Sequence, residues 1–156
     1  MVEQGLLIQH LSPSRLDQAI EVIDPHAEPI CALPLLGRVS AGLPLEAIED
    51  PDWVEVPVRL ARLAQFALRV RGDSMTEDQI EDGDLILIQP KVFADNGAIV
   101  IALIEGERAT VKRFYRDAHH IRLQPANAEM APLRFTSDAV EILGVVTAVL
   151  RELPRP

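Results

Sequence analysis

The chain has 156 residues, 48% of them hydrophobic and 25% charged, enough to bury one core without disulfide or metal staples. Its net charge of -9 opposes phosphate backbones, which are bound by clustered Lys and Arg, so this polypeptide alone is expected to be a poor DNA ligand. With Cys31 as the single cysteine an intrachain disulfide is excluded. No stretch approaches the roughly 18 apolar residues that span a bilayer, and the first residues lack the basic-then-apolar pattern of a signal peptide, so a soluble, cytoplasmic protein with no membrane partner is expected.

Residues 1–24 carry a short apolar run, Gly5-Leu6-Leu7-Ile8, the turn former Ser12-Pro13-Ser14 and an alternating run, Ala19-Ile20-Glu21-Val22-Ile23. This predicts a small β-hairpin. Residues 25–33, opening on Pro25-His26-Ala27-Glu28-Pro29, offer little to bury and are expected to form an extended, solvated linker. Residues 34–156 are expected to form a mainly β domain with little helix. Residues 66–70, 85–88, 99–104, 120–123 and 142–150 are short, rich in branched side chains and bounded by Gly, Pro, Asp or Asn. Turns are expected at Asp82-Gly83-Asp84, Asn96-Gly97 and Glu105-Gly106-Glu107. Helix is expected only near residues 57–63, with a further turn after Met75.

Three segments carry chemistry. Gly72-Asp73-Ser74-Met75 follows the strand at 66–70, placing Ser74 where a strand gives way to a turn. Such a site can expose a hydroxyl beside converging backbone N–H groups, although Gly, Asp and Ser are also what any turn prefers. Thr110-Val111-Lys112-Arg113 sets a lysine within an alternating strand pattern, where it either enters the core or lies solvated on an edge. As a general base it must be neutral, so its pKa must fall from about 10.4 towards about 7–8, at about 1.36 kcal/mol per unit. The third segment, residues 35–45, has the small residues Ser40, Ala41 and Gly42 at its centre, and small side chains let a backbone enter a narrow cleft. Read alone, it is better taken as an ordinary strand followed by a Gly-Leu-Pro turn.

Other features support plainer readings. His119-His120 with Asp138 could suggest a catalytic triad with a serine, but the histidines lie in a polar turn. Glu77, Asp78, Glu81, Asp82 and Asp84 do not match a calcium loop, so turn and surface roles are expected, with no metal and no cofactor. Trp53 is expected to anchor the segment after Gly42 to the body of the domain.

Taken together and in this order, the motifs resemble the self-cleaving LexA/UmuD family, over residues 33–150. In Pro34-Leu35-Leu36-Gly37-Arg38-Val39-Ser40-Ala41-Gly42 the resemblance places a scissile bond at Ala41-Gly42, with Val39, Ser40 and Leu43 as its recognition elements. Ser74 matches the family's nucleophile, Lys112 its general base, and the backbone of Asp73 and Ser74 its oxyanion site. Asp82-Gly83-Asp84-Leu85 and Leu123-Gln124-Pro125-Ala126-Asn127 match further family segments. The resemblance implies a LexA and signal-peptidase-like β fold, and self-cleavage stimulated by RecA filaments on single-stranded DNA as part of the SOS response to DNA damage. It also implies a homodimer, and operator DNA as a partner only if a complete N-terminal domain is present. Residues 1–24 then read as the remnant, with its wing hairpin, of a winged helix-turn-helix, since the first 30 or so residues are too few to hold its three helices. The repressor reading is preferred to a UmuD-type polymerase subunit, whose cut site usually reads Cys-Gly. A non-catalytic β dimerisation module is the remaining alternative, to which the apolar run 145–150 would contribute pairing.

Overall fold

The computed structural model describes residues 6–10, 19–23, 28–37 and 52–153. The strands are β1 (Leu6–His10), β2 (Ala19–Ile23), β3 (Ile30–Leu35), β4 (Asp52–Pro57), β5 (Phe66–Arg69), β6 (Leu85–Pro90), β7 (Ile99–Ile104), β8 (Arg108–Arg116), β9 (His120–Gln124), β10 (Leu133–Thr136) and β11 (Val140–Glu152). Among the described residues the only α-helix is α1, Val58–Ala61, and single 3-10 turns occupy Thr76–Asp78 and Ser137–Ala139. The mainly β expectation holds, as do the short helix near residues 57–63 and the turn after Met75.

All eleven strands join one sheet, in the order β10-β9-β8-β7-β11-β6-β5-β3-β4, with β1 on β11 and β2 on β1. Most pairs are antiparallel, as short hairpin connections require, but β3 runs parallel to β5 with Leu35 opposite Ala67. The expected hairpin is present: β1 and β2 pair antiparallel with Leu6 opposite Ile23. Its first strand also lies along the end of β11, Leu6 opposite Glu152, so the hairpin is continuous with the rest of the sheet. The expected linker differs at its end. Residues 30–33 form the start of β3, and Leu33 is buried with Val56, Leu60 and Leu87, because Ile30-Cys31-Ala32-Leu33 supplies the apolar, partly β-branched run that residues 25–29 lack.

Alternation along the strands divides the interior into packed groups. Phe66, Leu68 and Val70 face Ile86, Ile88, Met75 and Ile80, while Ala67, between them in sequence, packs with Leu87 and Ala148 on the other side. Phe114, Ile121 and Leu123 join Val100, Ala102 and Ile142. β11 is the hub. Its first half pairs with β7 and its second half with β6, and its pairing shifts register near residues 143 and 147, as bulges allow a long strand to bend.

Gly144 lies at the crossover between those partners, opposite both Pro90 and Ile101. A Cβ there would stand 2.5 Å from Ile88 Cγ2 and 2.7 Å from the Gln89 carbonyl oxygen. The second atom is backbone and cannot rotate away. Gly144→Ala is therefore expected to lower stability by about 1–3 kcal/mol, the usual cost of overpacking. Urea unfolding of this variant in a Ser74→Ala background checks it, and an unchanged midpoint would contradict the close approach of β6 to β11.

Candidate active site

β5 is covered on both sides, by β3 and β6, and stops because of the residues that follow it. Val70 donates its N–H to the Asp84 carbonyl at 2.8 Å and accepts from the Gly83 N–H at 2.9 Å. Beyond it, Gly72 adopts φ of +91°, a conformation open to glycine at little cost, and its N–H donates to Asp82 Oδ1 at 2.7 Å. The chain thus turns sharply into Ser74. Met75 and Ile80, both buried, fasten the far side of the turn into the core, and the Ile80 N–H closes it onto the Met75 carbonyl at 3.1 Å.

Lys112 reaches the same place from β8. It stands opposite Val100 of β7 in the ladder, on the apolar side of the strand, and is 8% exposed. Its Nζ is 2.9 Å from Ser74 Oγ, 2.6 Å from Thr110 Oγ1 and 3.0 Å from the Val111 carbonyl oxygen. Among the described residues no carboxylate is bonded to it, and burial pushes its pKa below the ordinary 10.5, because desolvation disfavours the charged form. The solvated alternative for this lysine is therefore excluded. Arg113, the next residue, is held by a bidentate ion pair to Asp78, both contacts at 2.8 Å, and donates to the Gly97 carbonyl at 2.6 Å.

The three partners of Nζ can accept the three N–H of an ammonium, and they can equally serve the neutral amine. A neutral –NH2 has two N–H donors and one lone pair. Thr110 Oγ1 and the Val111 carbonyl can take the donors, leaving the lone pair to accept the Ser74 hydroxyl proton. Among the described residues, the Asp73 and Ser74 N–H groups take no part in the hydrogen bonds that hold the turn.

The structure thus brings Ser74, Lys112 and the Asp73-Ser74 backbone together. Val39, Ser40, Ala41, Gly42 and Leu43 lie outside the described residues. Trp53 is 62% exposed on β4, so it is not buried against the body as expected; it faces outward opposite Pro34 while Val54 and Val56 turn inward. His120 is exposed with its Nδ1 3.9 Å from Asp117, and it is Lys112 that bonds Ser74. Asp84 departs from the surface role expected of the acidic run: it is 1% exposed and held by Arg151 through two contacts of 2.7 Å. Thr110 was not singled out in the sequence. Its position two residues before a buried lysine on the same strand face is the signal that could have found it.

A family model described as Peptidase S24-like matches residues 34–147. Among curated relatives, the LexA repressor of Syntrophobacter fumaroxidans is 43% identical over 99% of this chain and 74% of its own length. The LexA repressor of Koribacter versatilis is 42% identical over 77% of this chain and 57% of its own, and that of Halalkalibacterium halodurans is 44% identical over 78% and 58%. The chain thus spans somewhat over half the length of the second and third of these relatives. With a match that takes in β5, the Ser74 turn and Lys112, the chain belongs to the Peptidase S24-like family, in the group of the LexA repressors.

Proposed function

We propose that the chain cuts its own Ala41-Gly42 bond, with Ser74 as nucleophile and Lys112 as general base. The observation that carries this reading is the 2.9 Å approach of Nζ to Ser74 Oγ at a buried amine that, among the described residues, no carboxylate contacts. Neutral Lys112 takes the Ser74 proton as Oγ adds to the Ala41 carbonyl, and the N–H groups of Asp73 and Ser74 hold the oxyanion. The Lys112 ammonium returns that proton to the Gly42 nitrogen as the C–N bond breaks. An ester links Ser74 to Ala41. Water, deprotonated by the same amine, then adds to the ester carbonyl, and the ammonium returns the proton to Ser74 Oγ as the Ala41 carboxylate is released.

Strand register supports Ala41-Gly42 as the substrate. β3 runs parallel to β5 with Leu35 opposite Ala67, and the Leu36 N–H donates to the Ala67 carbonyl at 3.0 Å. The chain that carries Ala41-Gly42 therefore leaves the sheet directly beside β5, the strand that leads into Ser74. The return is provided for as well, since Asp52 on β4 stands directly opposite Leu35. A tethered bond replaces a bimolecular encounter by a conformational one.

The relatives are named as repressors, which favours a repressor over a polymerase subunit or a non-catalytic module. In our reading residues 1–24 correspond to the wing hairpin of a winged helix-turn-helix, and residues 34–156 to the cleavable part of such a repressor. RecA filaments on single-stranded DNA would favour the cleavable arrangement, and a second copy would pair as a homodimer in the cytoplasm. Operator DNA would be bound only by a protein with a complete head.

Self-cleavage should rise with pH. Below the lowered Lys112 pKa the amine is protonated and has no lone pair to offer, so the rate climbs as pH passes through that value and levels off above it; mass spectrometry of timed incubations would follow this, and a rate flat or falling with pH would oppose a lysine base. Ser74→Ala and Lys112→Ala should each leave the chain intact under conditions that cut the parent. Lys112→Arg should be equally inert at every pH, because a guanidinium stays protonated. Fragments ending at Ala41 and beginning at Gly42 from any of the three would refute the assignment. Gly42→Asp, which adds bulk and charge at the scissile bond, should block cutting with the Ser74 and Lys112 pair unchanged.

A further inference from the structure

The segment after β9 is absorbed neither by the sheet nor by the Ser74 and Lys112 pair, yet it lies against the nucleophile turn. β9 ends at Gln124, opposite Arg113 of β8, and the chain crosses from there to the residues around Ser74. The Ala126 N–H donates to the Ser74 carbonyl at 2.8 Å, and the Ala126 carbonyl accepts from the Glu77 N–H at 2.7 Å. The Ala128 N–H donates to Glu77 Oε1 at 3.1 Å. Asn127 Nδ2 donates to the Asp73 carbonyl at 2.9 Å, while its Oδ1 accepts from the Glu129 N–H at 2.9 Å. That last bond fixes which way round the amide lies.

We propose that Asn127 is a positioning residue for the oxyanion site. It acts through the peptide between Asp73 and Ser74. In a trans peptide the C=O and the following N–H point in opposite directions within one plane. Holding the Asp73 carbonyl toward Asn127 therefore aims the Ser74 N–H away from it, toward the face left unbonded. The next peptide is treated alike, since the Ser74 carbonyl is held by Ala126. The Thr76 hydroxyl adds a weaker restraint on the Asp73 carbonyl at 3.2 Å. Gly72, with its φ of +91°, leads into this turn without a side chain to restrain the backbone, so the turn depends on these hydrogen bonds to hold its place. Preorganised donors stabilise a developing oxyanion because they need not reorient during the reaction.

This inference rests on the self-cleavage reading above and adds one role to it. The test uses the full chain with Asn127→Asp and Asn127→Ala. The carboxylate of Asn127→Asp keeps the size of the side chain and its bond to the Glu129 N–H, but presents an acceptor to the Asp73 carbonyl. Both variants should cleave roughly 10- to 100-fold more slowly than the parent on the pH plateau, up to the loss expected for one oxyanion donor, with the midpoint of the pH profile unmoved in Asn127→Ala, which adds no charge. A second readout separates aim from collapse. In a Ser74→Cys background, alkylation of the new thiol by iodoacetamide is a displacement at carbon that forms no oxyanion, so adding either Asn127 change should leave its rate unaltered.

Cleavage within about threefold of the parent, a difference of under 1 kcal/mol, would overturn the proposal. So would slowed cleavage accompanied by a shifted midpoint and slowed alkylation in Asn127→Ala, which would mark a merely structural role. A parent chain that fails to cut itself at any pH would instead overturn the reading on which the proposal rests, an outcome distinct from both.

Discussion

An amine held beside a hydroxyl in an apolar sheet, with no carboxylate bonded to it among the described residues, is the arrangement on which the rest of this molecule depends. Lowering a lysine pKa works against its solvation, and only a packed surround can sustain that. Lys112 receives that surround from the ladder: β7 on one side with Val100 opposite, β9 on the other beginning at Arg113, and Phe114, Ile121 and Leu123 beneath. Thr110 and the Val111 carbonyl then satisfy the N–H groups that burial would otherwise leave unpaired. The site is thus an outcome of sheet register. Moving β8 by one residue would turn Lys112 to the opposite face.

The hydroxyl needs the opposite treatment, a turn rigid in position yet open at its N–H groups. Restraint comes from outside the turn: Asp82 on the Gly72 N–H, Ala126 on the Ser74 carbonyl, Asn127 on the Asp73 carbonyl and the Arg113 pair with Asp78 just beyond. Asp84, buried beneath, anchors the acidic loop through Arg151 of β11, and Asp84 also holds Gln79–Asp84 together through the Glu81 N–H at 2.8 Å. A buried ion pair of this kind adds little net stability relative to apolar residues but is costly to break on one side. Its effect here is to tie the loop before β6 to the strand at the centre of the sheet.

Much of the fold was legible because β-branched runs such as Ile99 to Ile104 declare themselves without context. Less was legible where composition is mixed. β3 contains Pro34 and its short apolar run, Ile30 to Leu33, adjoins a polar, proline-rich stretch that obscures where the strand begins, while β10, Leu133–Thr136, is short and largely exposed and carries no pattern that local propensity could distinguish from a loop. Within the site, Ser74 and Lys112 could be identified from motif and alternation, but their supporting groups could not. Asp84 reads as one more acid in a surface run until Arg151, far along the chain, is seen to reach it, and Asn127 reads as turn chemistry until the crossing from β9 sets it against Asp73. Trp53 misled for the complementary reason: a large aromatic suggests burial, yet β4 turns Val54 and Val56 inward and leaves Trp53 on the outer face.

The charge state of one side chain tests the account most directly. The chain contains two lysines, Lys91 and Lys112, so selective 13Cε labelling gives a spectrum in which the Lys112 resonance is identified by its loss in Lys112→Ala. Followed by pH titration in a Ser74→Ala chain, that resonance should titrate well below the ordinary value of 10.5. A Lys112 that remains protonated up to the ordinary lysine range would contradict the buried, uncharged base.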